Sequence, residues 1–169
     1  MQRLVLLAVI PALLLAAAAS GGWLRTRPDP IVQPIAFDHA RHAEEDLGCL
    51  DCHAPAASGA YATLPLLSTC QLCHQEALGE SAGEAKLMEY VERGEEIPWV
   101  QVNRMPGHVY FHHAAHVTLG EMECSECHGD MSLASEPPGA SQVERLTMRR
   151  CMECHRERGV TNDCIACHK

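Results

Sequence analysis

Bulky side chains are scarce in this chain. Its aromatic residues are Trp23, Phe37, Tyr61, Tyr90, Trp99, Tyr110 and Phe111, 4% of 169 residues. A polypeptide so poor in large groups has little with which to build a core of its own. Positive charge is also short: 13 Lys and Arg stand against 22 Asp and Glu, a formal net charge of -9. That balance excludes nucleic acid binding, which needs a basic footprint. It suits a solvated acidic surface or a docking face for a basic redox partner. Nothing in the pattern points to a sheet of any size. Finally, no cysteine lies outside one repeated pentapeptide.

That pentapeptide is Cys-x-x-Cys-His. It occurs as Cys49-x-x-Cys52-His53, Cys70-x-x-Cys73-His74, Cys124-x-x-Cys127-His128, Cys151-x-x-Cys154-His155 and Cys164-x-x-Cys167-His168. The pattern is the attachment signal for c-type haem. Two thiols three positions apart reach the two vinyl groups on one edge of the macrocycle. The following histidine then lies beneath the iron and supplies an imidazole nitrogen. A zinc site, a redox dithiol or a disulfide framework would explain the cysteines. Each of these leaves the histidine after every second cysteine to chance. Five covalent haems are therefore expected, one per motif.

If the first 24 residues are a targeting or anchoring segment, about 145 remain, or ~30 per haem. The expected fold class is accordingly a small multihaem cytochrome c: short helices and coil wrapped around five haems, with little or no sheet. The cofactors would supply the core, and without them the chain should stay largely unfolded.

The N-terminus carries an uncharged stretch of 21 residues, Leu4 to Leu24, behind Arg3. It has the composition of an export signal, as haem attachment outside the cytoplasm requires. Ala17-Ala18-Ala19 offers a small-residue cleavage site. Retained, the same stretch has the length of one membrane helix, with Trp23 as an interfacial anchor. Residues 1–24 are thus a signal peptide or signal anchor. Residues 25–34, with three prolines, read as an extended linker, and 35–169 as the haem domain.

Within that domain two segments repeat: Phe37-x-His39-x-x-His42 before the first motif, and Phe111-x-His113-x-x-His116 before the third. Histidines three apart share one side of a helical turn and can point at different irons. Between the second and third motifs, Ser81-Ala82-Gly83-Glu84 forms a capping box for a helix that Gly94 closes and Pro98 prevents from continuing. A second box, Ser141-Gln142-Val143-Glu144, predicts a helix running into Cys151. Ala54 to Ala60 and Ser132 to Ala140 read as loops.

The chain has 11 histidines. Beyond the five in the motifs stand His39, His42, His108, His112, His113 and His116, one more than five irons need as sixth ligands. The repeat aligns His39 with His113 and His42 with His116, while His112 falls opposite Asp38 and drops out. His108 becomes the fifth distal ligand. Met105 and Met148 are alternative ligands, though each also suits packing against a haem. Local spacing pairs His39 with the first haem and His113 with the third. Full bis-histidine ligation leaves no open iron, which favours electron transfer over catalysis. No Cys-x-x-Cys-Lys, as in some multihaem reductases, is present.

These residues resemble class III multihaem cytochromes c. More specifically, they are similar to the pentahaem cytochrome c subunit of alternative complex III. The segments that carry the resemblance are Glu89-Tyr90-Val91-Glu92-x-Gly94, Ile97-Pro98-Trp99-Val100-x-Val102 and Pro106-x-His108-Val109-Tyr110-Phe111-x-His113-x-x-His116-Val117. Cys124-x-x-Cys127-His128-Gly129-Asp130, Leu146-Thr147-Met148 and Asn162-Asp163-Cys164 complete them. The resemblance spans Pro34 to Lys169. It implies an electron-transfer subunit of a quinol-oxidising respiratory or photosynthetic complex, on the periplasmic side of a bacterial membrane, with the N-terminal helix retained. The partners it implies are an iron-sulfur subunit related to molybdoenzymes, polytopic quinol-binding subunits, and a soluble acceptor or terminal oxidase. A free periplasmic shuttle, or the cytochrome subunit of another quinone-linked oxidoreductase, are the alternatives.

Overall fold

The computed structural model describes residues 31–137 and 146–168, which fall in the unit Ile31–Lys169. The apolar stretch Leu4 to Leu24 and the box Ser141-Gln142-Val143-Glu144 lie outside the described residues. Regular structure within them is helical. The helices are α1 (His39–Ala43), α2 (Cys49–His53), α3 (Leu67–Cys70), α4 (Ala82–Arg93), α5 (His113–Val117), α6 (Ser125–His128), α7 (Met148–Glu157) and α8 (Cys164–Cys167). Two 3-10 turns, Ala54–Ala57 and Met131–Leu133, follow the first and third motifs. Among the described residues there is no sheet, only a bridge between Val109 and His168. Two stretches expected as loops therefore carry a helical turn. Pro55 at the start of the first turn presets a backbone angle that suits it.

The longest helix, α4, begins and ends where its caps place it. The Ser81 hydroxyl accepts the Glu84 N–H at 3.0 Å. Gly94 adopts φ 60°, and its N–H is donated to the Tyr90 and Val91 carbonyls. A Cβ at Gly83 would lie 2.9 Å from the Ala36 carbonyl oxygen, so glycine lets the helix start press against the segment before α1.

That contact completes a small apolar cluster. Ile35, Leu67, Leu87, Tyr90 and Ile97 are buried together, with Cys70, Met88, Val91 and Trp99 packed around them. The polypeptide thus builds a modest core of its own, contrary to the expectation that cofactors alone would supply one. Its residues lie i, i+3 apart on α4 (Leu87, Tyr90), and Ile35 and Ile97 arrive from flanking extended chain. The described end of the expected linker is tied to the domain. The Gln33 amide donates to the Val100 carbonyl at 2.7 Å and accepts the Val100 N–H at 3.0 Å, which pins the chain before Pro34.

The helix of the fourth motif, α7, starts at Met148 rather than running in unbroken from Ser141. Thr147 is extended (φ −106°, ψ 154°), and its hydroxyl accepts the Arg150 N–H at 3.3 Å. A hydroxyl cap of this kind fixes the first turn locally.

The two repeats are exchanged in packing. Helix α1 packs on the turn Met131–Leu133 that follows the third motif, and α5 packs on Ala54–Ala57 that follows the first. Backbone bonds make the exchange explicit: Ala40 N–H donates to Ala134, and His113 and Ala114 donate to Ala60 and Gly59.

Candidate haem centres

Each repeat orients its histidines with the preceding phenylalanine. Phe37 meets His39 edge-on at 4.7 Å and stacks on His42 at 4.4 Å. Phe111 does the same with His113 at 4.8 Å and His116 at 4.7 Å. The ring fixes two imidazoles at once, and short helices fix their backbones.

Hydrogen bonds then select the nitrogen each histidine keeps free. The His42 Nδ1–H donates to the Asp38 carbonyl at 2.7 Å, and the His116 Nδ1–H to the His112 carbonyl at 2.9 Å. The His113 Nδ1–H reaches the Ala60 carbonyl at 2.9 Å. Among the motif histidines, His53 donates to Thr63 at 3.0 Å and His155 to Thr161 at 2.8 Å. His74 alone of these donates to a side chain, Glu84 Oε1, at 2.9 Å. A histidine whose Nδ1 carries the proton presents Nε2 as its ligating atom.

The rings meet in pairs. His74 faces His42 at 6.1 Å between ring centres, His128 faces His113 at 6.4 Å, His155 faces His116 at 6.1 Å, and His168 faces His108 at 5.6 Å. His39 sits close enough to His53 for their charges to interact. An imidazole nitrogen binds a metal at about 2.0–2.1 Å, so two rings sharing one ion through facing nitrogens stand about 6 Å apart. The separations match that span. Four of the five motif histidines therefore have a histidine ring from the repeat segments or from His108 opposite them, and the fifth, His53, has His39 within range of its charge.

Burial sets the electrostatics. It holds His39 below the usual histidine range, reinforced by His53 and His42 and opposed by Asp38. It does the same for His128, reinforced by His113 and His53. In both, burial disfavours the charged form relative to the neutral one, which is the form that ligates a metal. Burial also pushes up the thiols of Cys52, Cys70, Cys124, Cys127 and Cys151. All ten cysteines are free of disulfides. Among the described residues no group of three or more His, Cys, Asp or Glu converges as a zinc site would require.

The model for cytochrome c7 and related cytochrome c matches residues 109–169. The chain is also similar to the "menaquinone reductase, multiheme cytochrome c subunit" of Nitratidesulfovibrio vulgaris strain Hildenborough. The two are 33% identical over 162 residues, covering 81% of this chain and 77% of the relative. This chain belongs to the multihaem cytochromes c.

Covalently bound c-type haem follows from that membership, and the residues fit it: paired thiols, a histidine directly after them, and a second imidazole across a metal-sized gap. The cytochrome is an electron carrier and not an enzyme in its own right. The sixth non-motif histidine, His112, is exposed and occupies the N-cap of α5. Met148 is exposed on the first turn of α7.

One residue of the cytochrome escaped sequence reasoning. Glu84 reads as the fourth position of a capping box, whose carboxylate should return to the Ser81 N–H. The structure turns it onto His74 and the Leu78 N–H instead. Its signal was present but carried an ordinary structural meaning, and only the fold of residues 74–84 brings it to the imidazole.

Proposed function

We propose that the cytochrome holds five c-type haems, each ligated by two histidines, and serves as the electron-transfer subunit of a membrane quinone-linked complex. The carrying observation is the facing of four pairs of histidine rings, each pair joining a motif histidine to one outside the motifs. It supports the axial pairs His74–His42, His128–His113, His155–His116 and His168–His108, and the charge interaction of His39 with His53 supports these two as the fifth pair. The thioether positions are Cys49 and Cys52, Cys70 and Cys73, Cys124 and Cys127, Cys151 and Cys154, and Cys164 and Cys167. Haem bound there supplies a one-electron iron couple. With an imidazole on each side, the protein leaves no coordination place for a substrate.

The motifs come within range of one another's charges in an order that differs from the chain. Cys52 senses Cys73, Cys70 senses Cys52, and Cys124 senses Cys49. Cys127 senses Cys151 and Cys154, and Cys151 senses Cys167. The series runs second, first, third, fourth, fifth. Arg150 of α7 donates to the Glu126 carbonyl of the third motif, and Arg158, at the C-cap of α7, pairs with the Glu126 carboxylate, which secures one of these junctions. The second and fifth motifs form the two ends, where donor and acceptor would dock.

The resemblance of the Trp99 to His116 string supports an assembly of the alternative complex III kind, on the periplasmic side. Its partners there would be an iron-sulfur subunit related to molybdoenzymes and polytopic quinol-binding subunits, with electrons passing to a soluble acceptor or terminal oxidase. Leu4 to Leu24 would anchor the chain. Among the described residues no helix is long and apolar enough to cross a membrane. The relative named for menaquinone reductase favours a second reading, in which the same relay carries electrons toward the quinone pool. Purification from membranes decides both points. A large complex that reduces an acceptor with quinol supports the first reading, and one that reduces menaquinone supports the second. A free monomer with fewer than five tethered haems, or one that binds carbon monoxide readily, overturns the proposal.

A further inference from the structure

The hydrogen-bond partners of the histidines divide unevenly. For His42, His53, His113, His116 and His155 the Nδ1–H is donated to a backbone carbonyl, a neutral acceptor. His39 stands at one extreme, with its Nδ1 buried and without a protein partner. His74 stands at the other, donating to Glu84 Oε1 at 2.9 Å.

Both side chains of that pair are largely withdrawn from solvent, with 18% of His74 and 11% of Glu84 exposed. The carboxylate is also held in place. It sits in the first turn of α4, accepts the Leu78 N–H at 3.1 Å, and rides on a helix packed into the apolar cluster. A histidine that donates to a carboxylate becomes a more basic ligand than one that donates to a carbonyl. A stronger donor stabilises the oxidised metal, so ligand hydrogen bonding and burial together tune the potential.

We propose that Glu84 is a positioning residue that strengthens His74 as a ligand and sets the second-motif iron below the other four in reduction potential. The proposal rests on the ligation reading above. It places the low-potential site at one end of the series, beside the first motif, whose distal His39 has the weakest support.

The test uses the haem-loaded protein. Glu84→Gln keeps the shape and a hydrogen-bond acceptor but removes the charge. Redox titration should show one step in five moving to higher potential, with the other four unmoved and five haems retained. The low-spin paramagnetic resonance signal of one haem should widen its g-value spread in parallel. Ser81→Ala serves as the structural control, since it removes the helix cap without touching His74. It should lower thermal stability and leave every potential in place. An unchanged titration in Glu84→Gln, or the same shift in Ser81→Ala, overturns the proposal. If Glu84→Gln loses a haem, the unmodified protein decides: one of its five low-spin signals must be narrower in g-spread than the rest, and its absence overturns the proposal. Failure of the ligation reading is separate and shows as an open, high-spin iron in the unmodified protein.

Discussion

The two Phe-x-His-x-x-His segments share their ring geometry and differ in what surrounds it. In both, phenylalanine meets the first histidine edge-on and stacks on the second. In both, an acid inside the following motif returns to the backbone before its first cysteine: Asp51 to the Gly48 N–H and Glu126 to the Glu123 N–H. The first repeat adds an apolar cluster, a carboxylate behind His74, and an aspartate cap on its helix, with Asp38 accepting the Arg41 N–H at 2.9 Å. Its counterpart has a backbone carbonyl behind His155 and an uncapped histidine at His112. Duplicated ligand geometry has thus been set in two different supports. The aromatic clamp answers a requirement common to both halves, while stability and electronic tuning are supplied locally.

The largest effect should come from withholding haem. With all ten cysteines changed to serine, helical signal should fall to a small remainder. Hydrogen exchange should find that remainder in α4, because the buried cluster lies there and the described residues of the second half have no buried apolar side chain. Equal protection in both halves would erase the contrast.

Next in size are the distal histidines. His42→Ala and His116→Ala should each convert one haem in five to a high-spin, carbon monoxide-binding form, and His112→Ala should convert none. Optical and paramagnetic resonance spectra read this directly. A high-spin signal from His112→Ala would reassign the second repeat.

In the loaded protein, Leu87→Ala should cost about 2–4 kcal/mol, as large-to-small changes in a packed cluster do. Leu133→Ala, at a side chain 75% exposed, should cost less than about 0.5 kcal/mol. Thermal unfolding of the two variants sharpens the difference between the halves.

The smallest effects concern the caps. Asp38→Ala should cost about 1 kcal/mol, and His112→Asp, which copies the first cap into the second repeat, should gain up to about 1 kcal/mol. The Asp38 and His112 backbones are alike, at φ −112°, ψ 103° and φ −138°, ψ 113°, so the transplanted carboxylate meets the same N–H geometry.

Much of this was legible because the chemistry is local. Cys-x-x-Cys-His needs no tertiary context to be recognised, and the alignment of His39 with His113 and of His42 with His116 is reproduced by the ring contacts. The caps at Ser81 and Gly94 are equally local. The rest depended on chain meeting chain. Glu84 looked like a cap because its partner is ten residues away on another segment. The cluster of Ile35, Leu67, Leu87, Tyr90 and Ile97 gathers from four separated places, none apolar enough by itself to announce a core. Thr147 was passed over for Ser141 because a capping box is a stronger written signal than a lone threonine. The exchange of α1 and α5 leaves no mark in either repeat.

That exchange bears on how the molecule is assembled. Ala40 bonds to Ala134 in a chain of 169 residues, so the first repeat cannot finish until most of the polypeptide has arrived. Long closures of this kind form late, because their entropy must be met before any contact rewards it. Until then the leading segment stays open to the machinery that stitches porphyrin to thiol. Delayed locking leaves the thiols of the first motif a window for modification, while the bonds of His113 and Ala114 to Ala60 and Gly59 can close sooner.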